Sequence, residues 1–351
     1  MRVVVVGASG NVGTSTLRAL AAAPEVESIS ALARRLPELE VPKVEWTSAD
    51  VVSDELASRF RGAAAVIHLA WIIQPSRAPE VTTRANVDGS ARVFRAVAEA
   101  KAPALVYASS VGAYAKGPKD HAVDESWPTE GIAGSYYSRQ KAVTERLLDR
   151  FESEHATIRV ARLRPGLTFK DEAATEIRRF FLGPFAPNPL FRKKLVPVIP
   201  DVPGLRFQAV HSDDVGDAYR RATLGDASGA FNLAADPVLD PPTLAHALGA
   251  RTAPLPRAAL RSAAALSWHL RLQPTSPGWI EMALGVPIMD TRRAREGLGW
   301  RPRKSAIEAI EELLDGICRG SDYPTPPLAR STSGRLRAKE IRAGVGARPL
   351  G

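Results

Sequence analysis

The chain has one cysteine, Cys318, in 351 residues. A single thiol closes no disulfide within a chain and builds no cysteine-based metal site. A reducing cytosol is then the natural compartment, so a cytoplasmic protein without a metal is expected. No apolar run approaches the roughly 18 residues that a membrane span needs. The longest, residues 63–73, contains His68 and reads as a buried strand entering a loop. The apolar start, residues 1–6, is too short for a signal-peptide core and breaks into glycine. A dense Lys/Arg block interleaved with aromatics is also missing. The net charge of +9, from 47 basic and 38 acidic residues, therefore points away from nucleic acid and leaves room for anionic small ligands. There is no internal repeat.

What is present is globular. Hydrophobic residues make up 45% and charged residues 24%, so disorder is not the default. The length suggests one large α/β domain and a smaller one. Residues 3–6 are a run of valines, as in a strand buried on both faces. Helix 14–23 follows, ended by Pro24, and then strand 28–33. Strands are also expected at 65–69, 105–108 and 157–163, with helices at 87–100 and 135–151. This alternation predicts a Rossmann-type, doubly wound parallel sheet with helices on both faces.

The texture changes after Phe169. Residues 180–203 are proline-rich and carry the basic cluster Arg192-Lys193-Lys194, which reads as a structured loop or lid rather than a strand. Segments 207–210 and 230–233 look like short strands returning to the main sheet. Residues from about 240 to 318 read as helices, including 257–270 and 304–318. The expected division is a dinucleotide-binding domain at 1–168 with 205–235 returning. A smaller, mostly helical substrate domain takes 169–204 and 236–320. Residues 321–351 hold six basic and two acidic residues and no apolar periodicity, so a basic mobile or loosely docked tail is expected there.

Gly7-Ala8-Ser9-Gly10-Asn11-Val12-Gly13 lies between the first strand and the first helix. Glycine permits the tight turn and lets backbone approach a pyrophosphate, while the free N–H groups of the helix start favour the anion. An acidic residue at the end of the second strand would bind a ribose 2′-hydroxyl. Here that place reads Ala33-Arg34-Arg35. Guanidinium groups pair with phosphate bidentately, so NADP(H) is expected in preference to NAD(H).

Tyr137 and Lys141 are four apart in a predicted helix and so share a face. A free phenol titrates near 10, and a neighbouring ammonium would pull it toward the range useful for acid–base catalysis. Ser109 and Ser110 end a predicted central strand, the edge at which ligands bind in open α/β sheets. A Ser110 hydroxyl there could donate to a substrate carbonyl. His68 and His211 are expected to be structural.

With these residues in view, the chain resembles an extended short-chain dehydrogenase/reductase of the NAD(P)-dependent epimerase/dehydratase type, over roughly residues 1–318. The resemblance rests on Gly7, Gly10 and Gly13, on Asp50-Val51, His68-Leu69-Ala70, Asn86-Val87, and on Ser110, Tyr137 and Lys141. Arg164-Pro165-Gly166, residues 210–215 and Leu298-Gly299-Trp300-Arg301-Pro302 complete it. It implies Tyr137 as the acid–base residue, Ser110 positioning the carbonyl, Lys141 on the ribose, and Asn86 assisting. It implies cofactor contacts from Gly7, Ser9, Gly10, Asn11, Val12, Gly13, Arg34, Arg35, Asp50, Val51, Leu69, Ala70, Trp71, Ser109, Tyr137, Lys141, Pro165, Gly166 and Leu167. Relatives often dimerise through the helices here expected at 87–100 and 135–151, and the first has an Ala/Val face compatible with a homodimer.

The departures narrow the expectation. Sugar dehydratases of this type carry an acid after the serine position, whereas Val111-Gly112 follow Ser110 here. Nucleotide-sugar epimerases carry an asparagine where this chain has residues 163–169, and an acidic ribose contact that is absent. Trp71, Ile72, Ile73, Phe180, Phe181, Phe185 and Phe191 suggest apolar walls suited to a small lipophilic carbonyl or secondary alcohol. The alternatives are a sugar epimerase and, in another class, a non-catalytic NADP sensor. The Tyr/Lys pair argues against the sensor.

Overall fold

A computed structural model of the protein describes residues 1–351 apart from 186, 189–195, 334–336 and 347–351. Phe191 and the basic cluster Arg192-Lys193-Lys194 lie outside the described residues.

The strands of the main sheet are β1 (Arg2–Val6), β2 (Ser28–Ala33), β3 (Val44–Ser48), β4 (Ala65–His68), β5 (Ala104–Ala108), β6 (Arg159–Pro165) and β7 (Gly229–Leu233). Their order is β7-β6-β5-β4-β1-β2-β3, all parallel. The helices that matter for the site are α1 (Asn11–Ala21), α2 (Gly89–Glu99), α3 (Tyr136–Glu154), α4 (Ala174–Phe181), α5 (Ser212–Leu224), α6 (Pro277–Gly285) and α7 (Ala306–Arg319). The doubly wound fold is therefore as expected.

The valine run explains the layers. Successive strand side chains point to opposite faces. Val3 and Val5 pack with Leu17 and Leu20 of α1 and Val215 and Ala218 of α5. Val4 and Val6 pack with Val93 and Val97 of α2 and Leu148 and Phe151 of α3. Gly216 lets α5 lie against α1, because a Cβ there would stand 2.7 Å from the Ser15 backbone. Trp300 closes this layer, fully buried, with Nε1 donating to Asp214 O at 2.7 Å.

Several local expectations need correction. Strand β3 was not foreseen, since Glu45, Thr47 and Ser48 make a half-exposed edge strand without an apolar run. The helix expected from residue 87 begins earlier, at Pro79, and passes through a π turn at Arg84–Asp88 before α2. Phe207–His211 does not rejoin the main sheet. It forms a three-stranded sheet with Leu167–Phe169 and Ala235–Leu239. Val198–Asp201, in the supposed lid, is a strand paired with Arg251–Pro254, inside the stretch expected to be helical. Among the described residues no helix is long and apolar enough to cross a membrane.

The C-terminal segment is docked where it is described. Thr325 and Leu328 are fully buried, and Glu340 of this segment meets Arg178 of α4 at 2.5 Å with both side chains buried. Arg77 Nε donates to Val345 O at 3.0 Å. Of the two expectations, a mobile or a loosely docked segment, the described residues fit the docked one, with Leu328, Glu340 and Val345 held in place. Cutting the chain after residue 320 would strip the buried carboxylate from Arg178, and breaking such a pair costs roughly 3 kcal/mol. Urea unfolding of the truncated chain is expected to show this loss, and an unchanged midpoint would mean that the segment merely lies on the surface.

Candidate active site

The carboxyl ends of β1, β2, β4, β5 and β6 open into one cavity of about 550 Å³, a usual size for a small-molecule site. It lies where strand order reverses between β1 and β4, the place at which open α/β sheets bind ligands. Its lining contains Gly7, Ser9, Gly10, Asn11, Val12, Gly13, Arg34, Arg35, Asp50, Val51, Leu69, Ala70, Trp71, Asn86, Ser109, Ser110, Tyr137, Lys141, Pro165, Gly166 and Leu167. The fold thus gathers all the residues expected to act in catalysis or to contact the cofactor.

The glycines of the first turn act differently. Gly7 has φ +84°, and a Cβ would sit 2.5 Å from Ala70 N at the end of β4. At Gly13 a Cβ would meet Ala8 O at 2.5 Å. Gly10 is not needed for packing, since the nearest atom to its Cβ would be Gly7 O at 3.8 Å. Open space beside a bare backbone, at the start of the 11-residue α1, is a cradle that a phosphate fits and a side chain would fill.

Three expected site residues, Asn11, Asn86 and Asp50, also bond within the protein. The Asn11 amide donates to Thr168 O at 3.1 Å and accepts from Ser212 at 2.7 Å, tying α1 to later elements. Asn86 is fully buried. It accepts from Ile72 N at 2.8 Å and donates to Ile72 O at 2.8 Å and to Gln140 at 2.9 Å. Its amide braces the loop after β4 from within the cavity wall. Asp50 accepts from Val52 N at 2.9 Å and so shapes its own turn. His68 bonds Ser90 at 2.8 Å, and His211 bonds Glu312 at 3.1 Å, both buried and structural. Phe185 is exposed, whereas Phe180 and Phe181 line the cavity.

Tyr137 lies in the first turn of α3, which Ser135 caps by accepting from Ser138 N at 3.3 Å. Ser138 donates to Gly112 O at 2.5 Å and fastens that turn to the loop after β5. Gly112 is needed there, because a Cβ would press on the Tyr137 ring at 2.9 Å. The ring packs on Trp279 at 4.9 Å and edge-on to Trp71 at 5.9 Å. Burial raises the phenol above its ordinary pKa, with the Ser110 hydroxyl pulling the other way.

Lys141 does not act on Tyr137 as expected. Its Nζ donates to Ala108 O at 2.6 Å and lies 3.5 Å from the centre of the Trp71 ring. Burial pushes its pKa well down, against the pull of Glu145. The expected lowering of the phenol by the ammonium is therefore replaced by a raised phenol.

Glu145 was missed. One turn beyond Lys141 and fully buried, it pairs with Arg162 at 2.8 Å and Arg164 at 2.8 Å and accepts from Ser109. Burial alone would raise its carboxyl, but Arg164 and Arg162 outweigh this and hold it at about 2. Also missed were Glu176, Trp279, Met282, Pro326 and Pro327, all in the cavity wall.

Comparison with known proteins gives the chain its similarities. Residues 3–175 match the model of the NAD dependent epimerase/dehydratase family. Over those residues, just under half of the chain, it is similar to that family, and its parallel sheet has the Rossmann topology. An uncharacterized protein of Mycobacterium tuberculosis is 27% identical over 317 residues, 89% of this chain and 30% of that relative. The chain thus spans about a third of the length of the first of the curated relatives it matches. The sterol-4-alpha-carboxylate 3-dehydrogenase (decarboxylating) of Saccharomyces cerevisiae is 24% identical over 254 residues, 69% of this chain and 66% of that one. A solved Thermus thermophilus UDP-glucose 4-epimerase in complex with NAD shares the fold with a TM-score of 0.67 at 21% identity, over 92% of this chain and 100% of that one.

Proposed function

We propose that the protein is an NADP(H)-dependent oxidoreductase interconverting a carbonyl and a secondary alcohol on a small lipophilic substrate. The observation that carries this reading is Tyr137 beside Ser110 in a cavity walled by Trp71, Ile72, Ile73, Phe180, Phe181 and Trp279. Such walls accept apolar surface and leave few groups to bind a sugar. The yeast relative is a sterol-4-alpha-carboxylate dehydrogenase by name, which supports the same substrate class.

The cofactor would be held by the Gly7–Gly13 turn, by Arg34 and Arg35, and by Lys141 and Tyr137. Arg34 and Arg35 line the cavity just past the end of β2, and Asp50 and Glu176 are the carboxylates among its described lining residues. Burial lowers the Arg35 pKa, and Arg34 adds to the effect. A 2′-phosphate between the two guanidinium groups would relieve that repulsion. When bound, the nicotinamide supplies or accepts the hydride. Ser110 donates to the substrate oxygen and fixes it, and Tyr137 gives it a proton in reduction. A raised phenol is protonated at neutral pH, which suits the reducing direction.

Two measurements test this. NADPH is expected to bind at least about tenfold more tightly than NADH, the effect of one charge-assisted contact, and Arg35→Ala should erase most of the difference. Lipophilic ketones should consume NADPH stoichiometrically. Equal affinity for the two cofactors would remove the NADP preference. Interconversion of nucleotide sugars without net NADPH consumption would replace the reductase reading with an epimerase.

A further inference from the structure

Helix α4 brings one carboxyl into this apolar wall. Glu176 lines the cavity beside Ile177 and Phe180 and is only 8% exposed. Among the described residues its carboxyl has no hydrogen-bond or ion-pair partner. Its oxygens are not sealed inside the protein, so the carboxyl opens onto the cavity. A group kept in this state on a cavity wall is free to meet a ligand.

Its surroundings say which ligand. Burial pushes the Glu176 carboxyl up to about 7, against the pull of Arg179 and Lys170. Both cations are already engaged. Lys170 donates to Thr14 at 2.6 Å and pairs with Glu172 at 3.1 Å, and Arg179 donates to Pro327 O at 2.6 Å. Their positive field disfavours a cationic ligand and leaves a neutral donor, a hydroxyl. The distance from Tyr137 is set by packing. Trp279 lies against Tyr137 at 4.9 Å and against Phe181 at 4.9 Å. Glu176 is five residues before Phe181 on α4, about 7 Å along the helix axis. Phe181 and Trp279 thus form an apolar wall that runs from α4 to Tyr137.

We propose that Glu176 is a specificity-determining residue that binds a hydroxyl of the substrate, separated by an apolar body from the carbonyl that Tyr137 serves. This deepens the carbonyl reading and rests on it. The probes are matched 2-alkanones and ω-hydroxy-2-alkanones of eight to fourteen carbons. Their binding to the NADP-loaded protein is read by tryptophan fluorescence, and turnover by NADPH oxidation. At one or more lengths the hydroxylated member should bind about tenfold more tightly than its parent. Glu176→Leu should abolish that advantage while leaving the parent alkanone and NADPH bound as before. Glu176→Gln should keep part of it. No hydroxyl advantage at any length, whether from equal binding or from none, overturns the proposal, as does an advantage that survives in Glu176→Leu. A fall in NADPH affinity in Glu176→Leu without a change in the hydroxyl effect would assign the carboxyl to the cofactor and also overturn it. A hydroxyl advantage in binding without turnover would leave Glu176 its role and defeat the carbonyl reading. Turnover without the advantage would do the reverse.

Discussion

Replacing Tyr137 with Phe is expected to lower kcat by about 10² to 10⁴, the usual contribution of a positioned proton donor. Only the phenolic oxygen is lost. The ring still packs on Trp279 and Trp71, and Gly112 still makes room for it. NADPH would lose one contact and keep those from the Gly7–Gly13 turn, Arg34, Arg35 and Lys141, so its affinity should fall far less than kcat. The pH profile sharpens the test. Burial raises the phenol, so Tyr137 stays protonated through neutral pH. Ketone reduction should be flat there and fall only as alkali removes the proton. Alcohol oxidation needs the phenolate as base, so its rate should rise with pH over the same range. Turnover within a factor of two of wild type in Tyr137→Phe would rule out the role. A reduction rate that rises with pH would rule out the protonated phenol as donor.

Much of this site was legible because it is written in short local patterns. The Gly7–Gly13 turn follows a strand and opens a helix, and both Gly7 and Gly13 prove sterically required. The i, i+4 spacing of Tyr137 and Lys141 placed both in one cavity. What spacing could not give is what each polar atom touches. Lys141 turns its Nζ to the Ala108 carbonyl and the Trp71 face, and no sequence rule foretells that choice. Asn86 was read as assisting catalysis and Asn11 as a cofactor contact, yet their amides are taken up by Ile72, Gln140, Thr168 and Ser212, all partners brought in by tertiary folding. Glu176 and Trp279 come from helices that carry no motif. One signal was available and went unused. Val160-Ala161-Arg162-Leu163-Arg164 is a buried strand with two charges in it, and buried arginine requires an acid. Glu145, one turn past Lys141 on the same helix, is that acid.

The second large effect falls on that pair of arginines. Glu145→Gln keeps the shape of the side chain and removes its charge. Arg162 retains Asp149 at 2.6 Å and Glu152 as partners, so it is partly protected. Arg164 keeps only neutral groups in its pairing, Tyr114 Oη at 3.0 Å and Glu125 O at 2.9 Å. It is left as a buried, uncompensated charge. Breaking such a pair costs about 3 to 5 kcal/mol, enough to endanger folding at moderate temperature. The loss should depend on pH in a stated direction. The Glu145 carboxyl is depressed in the folded chain, from an ordinary 4.5 to about 2. Its contribution is therefore complete above about 4.5 and lost as pH falls through about 2. Urea unfolding should show a large gap between wild type and variant at pH 7 that narrows as the pH is taken down through that window. Activity should suffer as well, because Glu145 holds Ser109 beside Ser110 and draws on Lys141. Glu145→Asp keeps the charge but shortens the reach, so it should restore more stability than activity. Equal stability of wild type and Glu145→Gln at pH 7 would show that the network behind the cavity is no more than a neutral hydrogen-bonded cluster.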